Sequence, residues 1–437
     1  MSHSTARARP LWPHGANMML GAWLLSGPAT LGYRSAALTG SDLISGVLLL
    51  VLSTLALWSR RAWLSWPIAC VGIWLMSAPL IFWAPTAAAY NNGTLIGALV
   101  VAFAVLMPGT PGAKAETGPE TPPGWSDNPS AWSHRAPIVA LALAGFFISR
   151  YMAAFQLGHI ETVWEPFFSP GTRRILESDV SKAFPVSDAG LGALSYLMDA
   201  LAGLIGGARR WRTMPWMVVL FGLFIIPPGV VSIVLVILQP VAVGTWCTLC
   251  LIASVAMLLM VPPALDEVIA TGQLLLRNWR AGNGFWRTFW KGETVETNGE
   301  QAFDDSSSSP QPSLRELASG LVIFAMPWHL WLSAAIGVWL MAAPEVLGMR
   351  GAAATSDYIA GALVVTFAVI AGAEPARVVR YFNAAGGAWL LVAPFLLSGS
   401  TPAATWSNVC AGLALILLSL PRRKVKERYG GWERFIA

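Results

Sequence analysis

The chain has 437 residues, of which 55% are hydrophobic and only 12% charged, with 22 Trp and a formal net charge of +5. Soluble domains carry about 25% charged residues, so a water-soluble α/β enzyme is excluded and the chain reads as an all-α, polytopic membrane protein. The basic residues are spread over short loops and form no stripe, which argues against nucleic acid and for membrane lipid as the partner surface.

The first apolar run, Asn17–Leu31, follows Arg7 and Arg9 as a signal peptide would. Closely similar runs recur, however: GAWLLSGPATLG from Gly21, GIWLMSAPLIFW from Gly72, GVWLMAAPEVLG from Gly337 and GAWLLVAPFLLS from Gly387. Each has Trp two residues after the Gly and Pro five after the Trp. Each is followed by a second apolar run with its own Gly (Gly46, Gly97, Gly361, Gly412), 18 residues past the Pro in three copies and 17 in the other. A repeated segment is retained structure, and each copy is expected to be a helical hairpin whose small residues permit close approach. Asp42, Asp357 and Asn408 lie four residues before the second Gly, where a helix cap at the water boundary is expected; the second copy has Gly93 in that slot with Asn92 beside it. These segments resemble the SPW-repeat family of bacterial membrane proteins, although Trp does not follow the Pro here. The resemblance implies a fold and no chemistry.

Four more apolar runs follow, Pro137–Leu157, Asp188–Gly207, Met214–Leu238 and Val241–Val261, each long enough to cross about 30 Å of hydrocarbon. Stretches of linker composition, Pro108–Ser130 and Asn298–Ser313, flank this centre. The expected organisation is a repeat pair at 10–107, a Pro-rich linker at 108–134, a four-helix core at 135–270, a cytoplasmic linker at 271–315, a second repeat pair at 316–421 and a basic tail at 422–437. That is about 12 transmembrane helices. With this count, Arg7/Arg9, Arg60/Arg61, Arg209/Arg210/Arg212, Arg377/Arg380 and the tail from Arg422 to Arg428 share one side, while the loops at Ala84–Asn92 and Gln239–Thr245 carry almost no charge. The positive-inside rule then puts both termini in the cytoplasm of an inner (plasma) membrane protein.

Cys247 and Cys250, two of only four cysteines, therefore open a helix entered from the extracytoplasmic face, where disulfide chemistry is permitted. One helical turn apart, they can close a small disulfide or exchange it. The helix N-terminus favours a thiolate, whereas apolar neighbours oppose it, and the two effects stand open against each other. A packing role for the pair is the plain alternative. The five His are scattered and no second CxxC exists, so no metal site is expected. Cys70 and Cys410 stand singly in repeat helices and read as core.

FPVSDAGLGALSYLMDALAGLIGG (Phe184–Gly207), a further helix, then TWCTLCL (Thr245–Leu251) resembles the vitamin K epoxide reductase family over about residues 135–270. The resemblance implies a four-helix core with a CxxC at the outer mouth of the fourth helix. It further implies a thiol–quinone oxidoreductase in which the Cys247/Cys250 dithiol reduces a quinone of the ubiquinone or menaquinone class, with Cys250 toward the quinone and Cys247 toward a thiol partner. The chain departs from the family in the loop His159–Pro185, which has no Cys where members carry two; the matching positions fall near Trp164 and Thr172. The family's quinone-facing Asn aligns with Asp188, and a Tyr found in some members is Ser254. Either an extracytoplasmic thiol–disulfide protein attacks the pair directly, or the core is a silent scaffold. Within the loop, VWEPFF (Val163–Phe168) reads equally as a lid over the quinone or as an interfacial aromatic anchor.

Arg150 and Asp199 fall at mid-membrane depth in neighbouring helices, where an intramembrane ion pair is the economical arrangement. Twelve helices in repeated blocks also raise a transporter, a reading weakened by the scarcity of ionisable groups in the repeat helices.

Overall fold

A computed structural model describes residues 12–59, 61–105, 119–293, 326–421 and 427–436. Arg7, Arg9, Arg60, the linker Asn298–Ser313 and most of the basic run after Pro421 lie outside the described residues. The described chain is helical, and its long elements fall in three groups. The first repeat pair is α1 (Trp12–Thr30), α2 (Ala36–Ser59), α3 (Ser65–Ile81) and α4 (Ala87–Val105). The centre comprises α5 (Trp132–Gln156), the short α6 (Gly171–Glu177), α7 (Asp188–Leu204), the short α8 (Arg210–Thr213), α9 (Pro215–Leu238), α10 (Thr248–Arg280) and the short α11 (Phe285–Lys291). The second repeat pair is α12 (Trp328–Val346), α13 (Gly351–Ile370), α14 (Arg380–Leu396) and α15 (Pro402–Ser419). The twelve expected helices are all present at 17 residues or more, and eight of them are long and apolar enough to cross a membrane.

The repeat signature has a direct structural reason. In every hairpin the two glycines meet: a methyl group built on any of the eight would come within 2.5 to 2.9 Å of its partner's carbonyl oxygen. Each repeat Pro sits two residues before the end of its helix, where the bond its missing N–H would make is lost in the last turn only. The repeat Trp, for which the sequence suggests no role, crosses to the other hairpin of its pair. Trp23 and Trp74 donate to Asn92 Oδ1 (2.9 Å) and Ser41 Oγ (3.0 Å). Trp339 and Trp389 donate to Ser407 Oγ and Ser356 Oγ, both at 2.9 Å.

Asp42, Asp357 and Asn408 are not helix caps. They lie inside α2, α13 and α15, at most 3% exposed, and join hairpins to each other. Asn408 Nδ2 donates to Asp357 Oδ1 at 2.8 Å, and Asn92 Nδ2 reaches Asp42 Oδ2 at 3.4 Å, with Tyr33 donating to the same oxygen at 2.8 Å. In hydrocarbon a polar side chain satisfied by a neighbouring helix is better placed than one left unpaired, which overrides the preference for a cap. Cys70 and Cys410 also differ from expectation, being exposed on the outer faces of their hairpins, where a small hydrophobe is tolerated.

In the centre, α5, α7, α9 and α10 pack around Phe221, Ile225, Met257 and Met260, all nearly or fully buried. The fourth core helix starts later than expected and runs further. After α9 the chain makes one wide π turn (Gln239–Val243) and reverses at Gly244, whose φ of +73° suits only a residue without a side chain. Once started, α10 continues through Pro262 and Pro263 to Arg280, so residues 271–280 are helix and not linker. Its far half is anchored by a buried ion pair: Arg210 Nε and Nη2 each lie 2.6 Å from the Glu267 carboxylate, which also accepts from Ser130 Oγ. Arg210 and Arg135 donate their remaining N–H groups to carbonyls at the end of α7, including Ala202, Gly203 and Ile205, satisfying a helix C-terminus in a dry setting.

The ends of both supposed linkers are packed. Trp125 lies edge-on against Tyr429 at 5.0 Å and donates to Gln273 Oε1, tying the stretch before α5 and the C-terminal segment to α10. Trp290 of α11 stacks with Trp216 and meets Trp66 edge-on, joining the far end of the core to the first repeat pair.

Candidate functional site

Cys247 and Cys250 are joined in a disulfide, their Cα atoms 5.3 Å apart. Cys247 is the extended residue that starts α10, and its sulfur accepts from the backbone N–H of Cys250 at 3.1 Å, taking a capping role usually filled by oxygen. Its own N–H donates to Gln239 Oε1 at 2.8 Å, so the wide turn after α9 cradles the disulfide. Cys250 Sγ packs 3.7 Å from Met152 Sδ of α5.

Cys247 has no exposed surface. It is covered by α6, whose Ile175 and Leu176 pack with Cys247, Met152 and Leu249. A Cβ on Gly171, at the start of α6, would lie 1.9 Å from the carbonyl oxygen of Trp246, so only glycine lets the loop sit this close. The open access to an external thiol expected from the sequence is therefore absent in this closed arrangement.

The loop is held down by Glu165, whose role no local sequence pattern signals. Its carboxylate accepts from the backbone N–H of Thr248 (3.0 Å), from the hydroxyls of Thr248 and Thr172, and from the backbone N–H groups of Phe167 (3.1 Å) and Phe168 (3.2 Å). Burial works against the charged form, but the bonds from Thr172 and Thr248 outweigh it and hold the carboxyl at about 2. An anion at the N-terminus of α10 is favoured by the helix dipole, and that positive end, expected to stabilise a thiolate, already faces a carboxylate. Thr172 and Trp164, near the positions of the family's loop cysteines, thus belong to a clamp: Thr172 donates to Glu165, and the Trp164 N–H donates to Tyr151 Oη at 3.1 Å. VWEPFF thus lies over the start of α10 as a lid would, while Trp164 and Phe167 stay exposed as an interfacial anchor requires.

Two cavities adjoin at Ser254, and the smaller of them is lined by Cys250. The smaller, about 120 Å³, is lined by Cys250, Asp188, Ser149, Tyr196 and Ser254, among others. Asp188 is thus near the disulfide, but its Oδ1 already accepts from Gln156 Nε2 (2.5 Å), Ser181 Oγ (2.7 Å) and the Ala189 N–H (2.7 Å). With Oδ1 committed as an acceptor only Oδ2 remains, and it can donate to a carbonyl only when protonated. The hydroxyls of Ser149 and Ser254, by contrast, have no protein hydrogen-bond partner among the described residues. They are the donors a quinone carbonyl would meet, so the residues present fit such a group. The larger cavity, about 730 Å³, lies across Ser254, between α9 and α10 on one side and α12 and α13 on the other.

Arg150 and Asp199 do not form the expected ion pair. Arg150 turns toward the first repeat pair, where Nε and Nη2 donate to Asn91 Oδ1 (3.1 and 2.9 Å) and the guanidinium lies 3.9 Å over the Tyr90 ring. Neutral partners with a π face thus stand where a counter-charge was expected, with Nη1 left buried and without a hydrogen-bond partner among the described residues. Asp199 is fully buried and neither carboxylate oxygen has a hydrogen-bond partner among the described residues. The described residues hold no group of His, Cys, Asp and Glu suited to a metal ion.

Residues 136–265 match the vitamin K epoxide reductase family, and residues 11–107 and 327–421 match the SPW repeat domain. No curated protein and no solved structure matches the chain.

Proposed function

We propose that this chain, a vitamin K epoxide reductase family core set between two SPW repeat domains, is a membrane thiol–quinone oxidoreductase working through Cys247 and Cys250. The observation that carries the reading is a disulfide at the start of a core helix with Cys250 on a cavity that holds two unpartnered hydroxyls. A bound quinone of the ubiquinone or menaquinone class supplies the oxidant: it takes two electrons and two protons and leaves as the hydroquinone while the Cys247–Cys250 bond forms. Ser149 and Ser254 orient the ring by donating to its carbonyls. The disulfide is then returned to the dithiol by an extracytoplasmic protein dithiol, which leaves as a disulfide, so electrons and protons balance over the cycle. Because α6 covers Cys247, each exchange requires the Glu165 clamp to open.

Twelve spans with both termini cytoplasmic are part of the same reading. Arg61, Arg209, Arg212, Arg277, Arg280 and Arg377 lie at or near the end of the bundle opposite the disulfide, which the positive-inside rule assigns to the cytoplasm. A second reading, a scaffold that keeps the fold without turnover, is favoured by the buried Cys247 and the loop without cysteines. Alkylation trapping in membranes separates the two. Turnover predicts that Cys247 and Cys250 shift from dithiol to disulfide when quinone is added and back when a dithiol is supplied; a pair fixed in one state under both conditions means a silent core.

A further inference from the structure

The smaller cavity touches the disulfide but, at about 120 Å³, falls below the roughly 300–1,000 Å³ of ligand sites. Its neighbour, at about 730 Å³, lies within that range. Ser254 lines both, so the two adjoin there: the smaller, beside Cys250, carries more of the hydroxyls, and the larger is the more apolar. The apolar chamber is not built by the reductase core alone. Val255 and Leu258 of α10 form one wall, Val338 and Met341 of α12 the opposite one, and Phe167 and Phe168 of the lid stand at the mouth.

The two walls are fastened next to the reactive pair. Trp246, the residue before Cys247, meets the ring of Tyr358 of α13 edge-on at 5.7 Å, and Tyr358 donates to Glu345 Oε1 at 3.1 Å. Glu345 also lines the chamber.

Resting on the quinone reading above, we infer that the second SPW repeat pair forms part of the substrate site: the apolar chamber holds the isoprenoid chain of the quinone, with the ring over Ser254 against Cys250. A phospholipid acyl chain shares the apolar chemistry, but its phosphate would approach the Glu345 carboxylate and the aromatic mouth. A neutral quinone meets no such repulsion. The repeats thereby select for a long-tailed substrate.

The test uses the full chain in lipid nanodiscs and compares kcat/KM for a long-tailed quinone with that for its tail-free ring. Ala342→Trp fills the chamber from an exposed position on α12 and is expected to lower the long-tail to tail-free ratio at least tenfold. Val392→Trp, on α14 away from the chamber, leaves the ratio unchanged. If Ala342→Trp does not fold, Val338→Ala serves, with the ratio expected to fall about threefold through lost contact. A ratio unchanged in the chamber variants, with turnover intact, overturns the inference and leaves the reductase reading standing. Binding to the oxidised protein, followed by quenching of tryptophan fluorescence, needs no turnover. Tail-dependent binding that Ala342→Trp abolishes supports the chamber even in a chain that does not turn over. Phospholipid in place of quinone as the molecule displaced from the purified protein by Ala342→Trp overturns it.

Discussion

Replacing Glu165 by alanine isolates the step that exposes the disulfide. The carboxylate accepts five hydrogen bonds from Thr172, Thr248, Phe167 and Phe168. In Glu165→Ala the two lid N–H groups and both hydroxyls can turn to water, so only part of that count is lost. A helix cap is worth about 1 kcal/mol, and one charge-assisted bond about 1.5–3 kcal/mol net. Lid closure therefore weakens by about 2.5–4 kcal/mol, which raises the open population roughly 70- to 900-fold. The assay is reduction of the Cys247–Cys250 disulfide in the purified oxidised protein by a water-soluble phosphine, which needs no thiolate. With opening faster than reduction, the rate follows the open population and should rise by the same factor. The wild type also carries a pH signature. With the docked carboxyl held near 2 and the free one at the ordinary glutamate value of 4.5, clamping is complete above 4.5. It weakens as pH falls from there toward about 2, because the open lid takes up a proton that the closed lid does not. The ratio of the wild-type reduction rate to that of Glu165→Gln, which cancels the reagent's own protonation, should rise as pH falls from 5 to 3. A Glu165→Ala rate within twofold of wild type, with the fold intact, would show that the clamp does not control access.

Other consequences follow from the packing. Gly97→Val places a Cβ 2.5 Å from the Gly72 carbonyl oxygen and forces the hairpin apart, so a loss of at least 2 kcal/mol is expected in detergent unfolding; an unchanged midpoint would contradict the crossing. Arg210→Met strands the buried Glu267 and should cost about 3–5 kcal/mol, whereas Arg210→Met with Glu267→Leu recovers most of it. Equal losses in the single and double variants would mean that the pair is not what holds α10. In double-mutant cycles Arg150 should couple to Asn91 by about 0.6–1.7 kcal/mol, the range found inside membranes, and to Asp199 by nothing measurable. Coupling to Asp199 instead would restore the ion pair expected from the sequence.

The helices, their grouping and the disulfide's place were legible because each rests on a local regularity. The Gly–Trp–Pro spacing marks hairpins, and Cys247 and Cys250 sit one turn apart after a Gly-containing turn. What escaped depends on contacts between segments distant in the chain. Asp42 and Asp357 look like caps until Asn92 and Asn408, some 50 residues away, are seen opposite them. Arg150 and Asp199 look complementary in neighbouring helices, yet the guanidinium turns outward to Tyr90 and Asn91. Glu165 resembled any loop acid; the Thr248 hydroxyl one residue after Cys247 was its only local hint. The larger cavity had no signature, since eight of its twenty lining residues belong to α12 and α13, 80 or more residues past Leu258.

Electron transfer from the cysteine pair to a quinone is read without intermediaries in a single-turnover reaction. Purified, pre-reduced protein is mixed with excess tail-free quinone, and ring reduction is followed by absorbance while the thiols are counted by alkylation. One hydroquinone should form per chain together with loss of two alkylatable thiols, and neither event should occur in Cys247→Ser or Cys250→Ser. Quinone left unreduced by a fully reduced pair, or reduced equally well by the serine variants, would contradict that transfer.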